Sequence, residues 1–299
     1  MKNAFHMIFA LSVIGFGLLF GSAVPADTPT ANEVAKLVAN DGARFDYFGY
    51  SVDVNGDTAV IGAYRDDDEG YDSGSAYVFT LSGGTWSLQQ KLTSGDDDAA
   101  RDAFGYSVSI DGDTVLIGAR LDDDNGYLAG SAYVFTRSGG VWSQQQKLTA
   151  SDGGYRDYFG ASVEIDGDTA VIGAYGDGWY TGSAYVFTRS GVVWSQQQKL
   201  TASDGEDNDF FGTSVSVDGE TAVIGAGGHA SSAGSAYVFT RSGVVWSQQQ
   251  KLTASDGEDR DFFGISVSID GDTAVIGAHR DDDNGACLLY TSDAADEVV

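Results

Sequence analysis

The stretch FDYFGYSVDVNGDTAVIGA, residues Phe45–Ala63, decides the fold, because the chain repeats it with small changes four more times. Its Phe-Gly pair recurs at intervals of 56, 55, 52 and 52 residues, with the phenylalanine at Phe48, Phe104, Phe159, Phe211 and Phe263. Units of this length bury their apolar faces by stacking against copies of themselves. We therefore expect a single array of repeats, which does not favour one unique catalytic site.

Each repeat has the pattern of four antiparallel strands, as the second copy (Phe104–Thr149) illustrates. GYSVSI alternates polar and apolar residues, Asp111-Gly112 is a hairpin signal, and TVLIGA is an apolar run typical of a strand buried on both faces. SAYVFTRS is a third strand, and WSQQQKLT is a fourth with the polarity of an outer edge. The pattern predicts an all-β protein, a β-propeller built of four-stranded antiparallel blades.

The third strand should present alternate residues to its two neighbouring blades: Ala132 and Val134 to one, Tyr133 and Phe135 to the other. A tryptophan recurs just after the turn into each fourth strand, and we expect it to pack between blades: Trp86, Trp142, Trp194 and Trp246. A β-helix is the alternative architecture, but its coils are usually shorter and lack these hairpins.

These residues also carry a family resemblance. FGYSV at Phe48–Val52 and IGA at Ile61–Ala63, with their later copies, resemble FG-GAP repeat proteins and the β-propeller of integrin α subunits. The resemblance extends over residues 45–278 and implies a seven-bladed ring used in extracellular recognition, often with calcium bound in blade loops. The family's calcium loop follows a pattern such as DxDxDGxxD, of which this chain keeps only Asp53-Val54-Asn55-Gly56-Asp57. Calcium takes about six to eight oxygen ligands, so we do not transfer that site.

The two ends of the chain differ from the repeats, which span residues 45–286. In the N-terminal segment, 27–44, AKLVANDG aligns with QKLTASDG at Gln198–Gly205, so Glu33–Val38 is predicted to be a fourth strand without its own blade. After Ala286, CLLYTSDAADEVV replaces the expected GSAYVFT, and we interpret 287–299 as an anomalous tail, an artefact or the product of a truncated gene. About 4.5 to 5 blades are thus present. A fragment of a larger ring is favoured over a closed five-bladed ring.

Residues 1–26 have the layout of a secretory signal peptide. Lys2 and His6 precede the apolar stretch Ile8–Phe20, and GSAVPA then offers cleavage after Ala26, or alternatively after Ala23. The apolar stretch is shorter than the roughly 20 residues of a membrane span. We therefore expect a secreted or cell-surface protein, with no membrane insertion after cleavage.

The composition limits the partners of the protein. The 44 acidic and 16 basic residues give a formal net charge of −28, which disfavours nucleic acid and anionic lipid and attracts cations, or simply keeps the protein solvated. The single cysteine, Cys287, allows neither a disulfide framework nor a cysteine-based zinc site.

The loops after the second and fourth strands should emerge at the same end of every blade, where they would gather most of the acidic residues. The loop after the second strand also varies most between copies, as recognition loops do, although drift alone would have the same effect. Carboxylates in these loops suit calcium, and an acidic run is also typical of a solvated face. The candidate calcium ligands are Asp66, Asp68, Asp72, Asp122, Asp124, Asn125, Asp281 and Asp283, and SDGEDNDFFG at Ser203–Gly212 is a comparable stretch.

Trp179 and Tyr180 lie together in one variable loop and are the candidate ligand-binding residues, for a sugar or a partner protein. Catalysis finds little support, because His229 and His279 each stand alone in a loop and the common hydrolase and nucleotide motifs are missing. We expect an extracellular binding or adhesion protein whose partner is a protein or a carbohydrate. The alternatives are a structural module of a larger exported protein and, with a pair of carboxylates, a hydrolase acting on polysaccharide.

Overall fold

The computed structural model describes residues 33–95 and 100–281, and the backbone alone of residues 287–291. The predicted signal peptide therefore lies outside the described residues. The strands form five antiparallel sheets that follow one another along the chain, four of them four-stranded and the last three-stranded. We call these sheets blades 1 to 5. Among the described residues no helix has the length and apolar character needed to cross a membrane.

The strands of the blades have closely similar bounds. Blade 1 contains β1 (Ser51–Asn55), β2 (Thr58–Ala63), β3 (Ser75–Ser82) and β4 (Thr85–Leu92). Blade 2 contains β5 (Phe104–Asp111), β6 (Thr114–Ala119), β7 (Ser131–Ser138) and β8 (Val141–Leu148). Blade 3 contains β9 (Ser162–Asp166), β10 (Thr169–Ala174), β11 (Ser183–Ser190) and β12 (Val193–Leu200). Blade 4 contains β13 (Phe211–Asp218), β14 (Thr221–Ala226), β15 (Ser235–Ser242) and β16 (Val245–Leu252). Blade 5 contains β17 (Ser266–Asp270), β18 (Thr273–Gly277) and β19 (Cys287–Thr291).

Local sequence explains the hairpins and the buried strands. The turn between β5 and β6 consists of Gly112 and Asp113, and Gly112 has a φ of +58°, which a two-residue hairpin readily assigns to glycine. β6 is buried along its whole length, as its apolar run predicts. Two short helical segments, α1 (Asp177–Tyr180) and α2 (His229–Ser232), follow β10 and β14.

Successive blades pack face to face. The first strands of neighbouring blades contact one another closely and the fourth strands much less, which places the first strands towards the axis of a propeller. Ala132 and Val134 join a core with residues of blade 3, whereas Tyr133 and Phe135 join a core with residues of blade 1. The predicted alternation and the predicted β-propeller fold are confirmed.

The recurring tryptophans also lie between blades, as predicted. Trp142 is buried against blade 1, where its backbone N–H donates to Gln90 Oε1 and its indole N–H to Gln89 Oε1, both at 2.9 Å. Trp194 and Trp246 repeat this arrangement one blade further on each time. In blade 1, Trp86 is only partly buried.

The Phe-Gly and Ile-Gly-Ala motifs meet where two blades approach most closely. A Cβ atom on Gly118 would lie 2.0 Å from the carbonyl oxygen of Gly160, and one on Gly160 would lie 2.2 Å from the carbonyl oxygen of Ser131. Gly160 also has a φ of +85°, in the region that favours glycine. Ser107 Oγ donates to the same Gly160 carbonyl at 2.8 Å. These glycines therefore recur because the backbones of adjacent blades touch.

The predicted fourth strand at Glu33–Val38 is wrong, because residues 33–39 form no strand. The segment nevertheless lies against blade 1, with Leu37 and Ala39 packed on Ile61 and Tyr77. A fourth strand forms by hydrogen bonding to a third strand, and the third strand of blade 1 already pairs with β4. The segment therefore contributes packing to blade 1 without joining its sheet.

The interpretation of the chain after Ala286 as outside the repeat also needs correction. Residues 287–291 form β19, which pairs with β18 as the third strand of blade 5. Cys287 stands opposite Gly277, as Ala236 stands opposite Gly225 in blade 4, so the register of the repeat continues. The run CLLYT has the β propensity that this pairing needs. Residues 292–299 lie outside the described part of the chain.

Blade 1 leaves open the face that later blades bury. Val52 is 54% exposed, whereas the equivalent Val108 and Val163 are 8% and 6% exposed because each packs against the preceding blade. In the described residues no comparable packing joins the first strand of blade 1 to that of blade 5. The described blades therefore form part of a propeller, in which each blade packs against the next one along the chain.

Candidate functional site

The loops after the second and fourth strands meet at one end of the blades. Arg156, after β8, donates its backbone N–H to Tyr127 O, after β6, at 2.9 Å, and Phe210 N donates to Tyr180 O at 2.8 Å one blade later. Backbone hydrogen bonds thus fix these variable loops against each other. We call this end the loop end of the blades.

A cluster of lysine, tyrosine and aspartate lies under the loop end. In blade 2, Lys147 Nζ lies 2.7 Å from Asp122 Oδ2 and 2.6 Å from Asp124 Oδ2, and Tyr133 Oη donates to Asp122 Oδ2 at 2.9 Å. Burial lowers the pKa of Lys147, but hydrogen bonds to the two aspartates outweigh it and raise the pKa above its ordinary value. The lysine is therefore charged and neutralises these carboxylates.

The same cluster recurs along the chain. In blade 1, Lys91 contacts Asp66, Asp68 and Asp41, and in blade 3, Lys199 contacts Asp177 and Asp152. Lys91 and Lys199 thus tie their own blades to a segment that precedes the blade. Sequence reasoning missed this cluster, although its lysine, tyrosine and aspartate recur at fixed places in the repeats.

Four of the eight predicted calcium ligands contact these lysines. Asp66 and Asp68 bind Lys91, and Asp122 and Asp124 bind Lys147. Asp72 instead lies 4.0 Å from Arg65 Nε, and Asn125 is exposed. Asp281 lies after β18, and Asp283 falls outside the described residues.

Within residues 33–95 and 100–281, no group of three or more histidine, cysteine, aspartate or glutamate side chains is arranged to hold a metal ion. A lysine ammonium stands where the carboxylates of blades 1 and 2 converge. Calcium at the predicted residues stays a prediction, and it would have to compete with that ammonium.

Blade 4 replaces the aspartate of the cluster with His229. Its Nδ1 lies 2.8 Å from Asp209 Oδ2 and its Nε2 lies 2.6 Å from Lys251 Nζ, so the view of this histidine as isolated is wrong. Lys251 also binds Asp204 at 2.6 Å. A cavity of about 270 Å³ opens beside His229 and Lys251, and Ser235, which is fully buried, lines it. The His229 imidazole contacts Asp209 directly and reaches Asp204 through Lys251. These contacts form a network that is typical of a structural role.

The second feature of the loop end is aromatic and begins at α1. Trp179 is 83% exposed, and Gly178, Trp179 and Tyr180 all have φ values near +60°. Left-handed backbone at non-glycine residues is uncommon and concentrates at functional sites. Gly176 precedes this turn, where a Cβ atom would lie 2.0 Å from Arg156 O. Close packing against the neighbouring loop therefore holds α1 in place.

An open cavity of about 370 Å³ lies beside the two predicted ligand-binding residues. It is lined by Tyr155, Arg156, Asp157, Gly176, Gly178, Trp179 and Tyr180. The structure thus brings Trp179 and Tyr180 together with a second loop, at the surface. Cavities with aromatic walls and a few polar groups are typical ligand sites.

The aromatic surface continues from Tyr180 towards blade 1. The Tyr180 ring lies 6.4 Å from the rings of Tyr158 and Tyr175, which stack on each other at 5.1 Å. Arg120 follows, with Nη1 donating to Tyr175 Oη at 2.8 Å and the guanidinium 4.0 Å above the ring of Tyr106. Tyr106 Oη then accepts from Tyr50 Oη at 2.9 Å. We call these residues the aromatic strip: Tyr50, Tyr106, Arg120, Tyr158, Tyr175, Trp179 and Tyr180.

Sequence reasoning found only the Trp179 end of this strip. The other members occupy positions flanking the Phe-Gly pair or directly following the second strand, where the residue type changes from copy to copy. The available signal was the frequency of tyrosine at these positions in the first three copies, whereas blades 4 and 5 carry mostly other residues there.

Comparison with known proteins shows which family the chain belongs to. A family model described as FG-GAP repeat matches residues 31–79, 86–135, 142–187, 194–239 and 246–290. Each match after the first begins with the fourth strand of one blade and continues through the first strands of the next. A search of curated proteins finds no match.

Among solved structures, the chain is similar to TolB from Acinetobacter baumannii, with 14% sequence identity and a TM-score of 0.45. The alignment covers 79% of this chain and 49% of that one, so this chain spans about half the length of TolB. A likeness at this score says nothing about function. The repeat matches, in contrast, cover most of the sequence and every blade: the chain belongs to the FG-GAP repeat family.

Proposed function

We propose that this protein is a secreted or cell-surface propeller that binds an extracellular carbohydrate through the aromatic strip. The observation that carries the proposal is Trp179, which is 83% exposed beside a cavity of about 370 Å³. A tryptophan gains little stability from such exposure, and an exposed aromatic surface marks an interaction site.

The chemistry of the aromatic strip suits a sugar better than the apolar surface of a partner protein. Aromatic rings stack on the apolar faces of sugar rings, while tyrosine hydroxyls and arginine supply hydrogen bonds to sugar hydroxyls. Tyr155, Arg156 and Tyr180 provide both kinds of contact around Trp179. Several stacked rings in a row would hold an oligosaccharide rather than a single sugar, which fits a role in adhesion.

The acidic residues have a supporting role in this proposal. Exposed carboxylates in the same loops, among them Asp67 and Asp123, would keep dense polyanions away and favour neutral or weakly charged ligands. Calcium would bind the exposed carboxylates of these loops, because Lys91 and Lys147 already hold Asp66 and Asp122. A millimolar calcium titration that changes neither the melting temperature nor the ligand affinity would remove calcium from the mechanism.

The test uses the mature chain from residue 27 with a panel of neutral oligosaccharides, measured by calorimetry. Trp179→Ala should weaken binding at least about tenfold, the loss expected when a central aromatic contact is removed. Val192→Ala is the matched control, since Val192 is 70% exposed in the hairpin between β11 and β12, at the opposite end of the blade. Equal binding by both variants and the wild type would show that the strip is not the site. A structural module would bind none of the panel.

A further inference from the structure

We propose that Arg120 binds the carboxylate of an acidic sugar, so that the ligand of the aromatic strip is an oligosaccharide containing uronic acid. The inference rests on the proposed function for the sugar itself. It adds the charge of the ligand and the residue that recognises it.

Tyrosine side chains surround the guanidinium of Arg120, and the guanidinium groups of Arg101, Arg156 and Arg280 also lie over aromatic rings. The Arg120 guanidinium lies 4.0 Å above the Tyr106 ring and 5.7 Å from the Tyr158 ring, and Nη1 donates to Tyr175 Oη at 2.8 Å. Its Nε is buried and has no hydrogen-bond partner within the described residues. A buried donor without a partner costs free energy, so the protein itself does not fully satisfy the guanidinium of Arg120.

In the described blades, the arginines of the third strands and the lysines of the cluster pair with carboxylates, whereas Arg120 does not. Arg137, Arg189 and Arg241 pair with Asp113, Asp168 and Glu220 at 2.6, 2.6 and 2.8 Å. The cluster lysines pair with aspartates in the same way. No carboxylate of the described residues lies within 4.0 Å of the Arg120 guanidinium, although the chain carries 44 acidic residues. The carboxylate that matches this guanidinium is therefore expected from a ligand.

The chemistry of the group selects a carboxylate in a sugar. A guanidinium presents a planar fork of donors that matches a carboxylate. The Arg120 guanidinium lies 5.7 Å from the Tyr158 ring, which stacks on Tyr175 and lies 6.4 Å from the Tyr180 ring. A ligand that stacks on these rings and ends in a carboxylate at Arg120 is a uronic-acid oligosaccharide.

The charge of the whole protein sets a limit on this ligand. At a formal net charge of −28, a densely charged polyanion is repelled, so recognition should depend on one or a few carboxylates held at Arg120. Free carboxylates without sugar rings would lack the stacking contacts. The site should therefore discriminate both by charge and by ring stacking.

The test compares tetragalacturonate with its fully methyl-esterified form, which keeps the sugar rings and removes the charge. Calorimetry on the mature wild-type chain should show tighter binding of the acid. Arg120→Gln should reduce affinity for the acid by about ten- to a hundredfold, the loss expected for a charge-assisted hydrogen bond, and should reduce affinity for the ester much less, because the ester has no charge for the guanidinium to pair with. Arg189→Gln is the control, because it changes the net charge equally at the far end of blade 3. Arg120→Lys keeps the charge without the fork, so it should lose part of the preference even if Arg120→Gln folds poorly.

The outcomes separate this inference from the proposed function. Equal binding of acid and ester by the wild type, or equal loss of both in Arg120→Gln, would overturn the role of Arg120 while leaving sugar binding in place. Acid binding that depends on Arg120 and not on Trp179 would overturn the stacking proposal instead. Failure of both forms to bind at millimolar concentration would overturn the inference about Arg120, whereas the panel of neutral oligosaccharides decides the proposed function.

Discussion

Asp41 Oδ2 lies 2.9 Å from Lys91 Nζ, which repeats in blade 1 the contact of Asp152 with Lys199 and of Asp204 with Lys251. In blades 3 and 4 the aspartate comes from the loop after the fourth strand of the preceding blade. In blade 1 the segment before the first repeat supplies it. The aspartates that AKLVANDG and QKLTASDG share, Asp41 and Asp204, thus make equivalent contacts with a lysine, although the first segment forms no strand.

The Asp41→Asn variant should lower the stability of the protein by about 0.5–1 kcal/mol, as expected for a partly exposed ion pair. Burial alone would raise the pKa of Asp41, but hydrogen bonds from Lys91 and Tyr77 outweigh it and lower the pKa below 3.8. A lowered folded-state pKa stabilises the fold above the unfolded value and is lost as the pH falls through the folded value. Urea unfolding near neutral pH should therefore resolve the variant from the wild type, and the difference should shrink as the pH falls below 3.8. Asp272→Asn, on an exposed turn, is the control.

Lys147→Met should be among the most damaging single changes to a polar residue. It leaves Asp122, which is 1% exposed, without its ammonium, and a buried carboxylate that loses its partner costs about 2–4 kcal/mol. Chemical denaturation should show a lower midpoint, and Lys36→Met, an exposed lysine, should not move it. A midpoint that stays at the wild-type value would mean that the ion pair of Lys147 with Asp122 does not stabilise blade 2.

Gly118→Ala should disrupt the contact between blades 2 and 3. The added methyl group would lie 2.0 Å from the backbone oxygen of Gly160 and 2.3 Å from Ser107 Oγ, so we expect a loss of about 3 kcal/mol or more. Gly227→Ala is the matched control, because its methyl group would meet only Ile265 at an ordinary 3.5 Å. Thermal unfolding of the two variants should differ clearly. Similar melting temperatures would contradict the close approach.

The open face of blade 1 gives a prediction with an internal control. Val52 and Val108 occupy the same position in successive blades, yet they are 54% and 8% exposed. Val108→Ala should cost about 1–3 kcal/mol through the lost burial and the cavity, and Val52→Ala should cost less than about 0.5 kcal/mol. Equal costs at the two positions would mean that another surface covers Val52 in solution.

Much of the fold could be predicted from the residues that repeat. Strand order, the hairpin at Gly112 and the opposite directions of Val134 and Tyr133 all follow from alternation and turn chemistry, and five copies of the same pattern make the argument strong. The errors occurred where the repeat ends. Glu33–Val38 lies against blade 1, whose third strand already pairs with β4, and at β19 a divergent sequence pairs because the neighbouring strand is present.

The site could be predicted less well, for a physical reason. Lys147 and Asp122 are far apart in the sequence and come together through the register of β7 and β8, which alternation alone does not reveal as an ion pair. The sequence predicts open carboxylates in the acidic loops, whereas lysines hold Asp66, Asp68, Asp122 and Asp124. The aromatic strip crosses three blades through non-repeated positions such as Arg120, so no periodic signal connected its members.

The pH dependence of stability should reveal Asp102, which is 4% exposed under the loop end. Burial, and then the negative charge of Asp122, raise its pKa from 3.8 to about 7. The folded protein therefore holds a proton that the unfolded chain releases, so this group stabilises the fold at low pH and its contribution is lost as the pH rises through about 7. At about pH 8 the Asp102→Asn variant should be more stable than the wild type by about 2–4 kcal/mol, and at about pH 4 the two should be equally stable.

Urea unfolding of both proteins across this pH range measures the difference directly. Glu164 raises a complication, since burial and the charges of Asp53 and Asp166 also raise its pKa, but it is present in both proteins and cancels in the comparison. Glu69→Gln, an exposed change in the loop after β2, should run parallel to the wild type at every pH. If Asp102→Asn also runs parallel, Asp102 is ionised in the folded protein and the packing of carboxylates under the loop end is looser than the structure indicates.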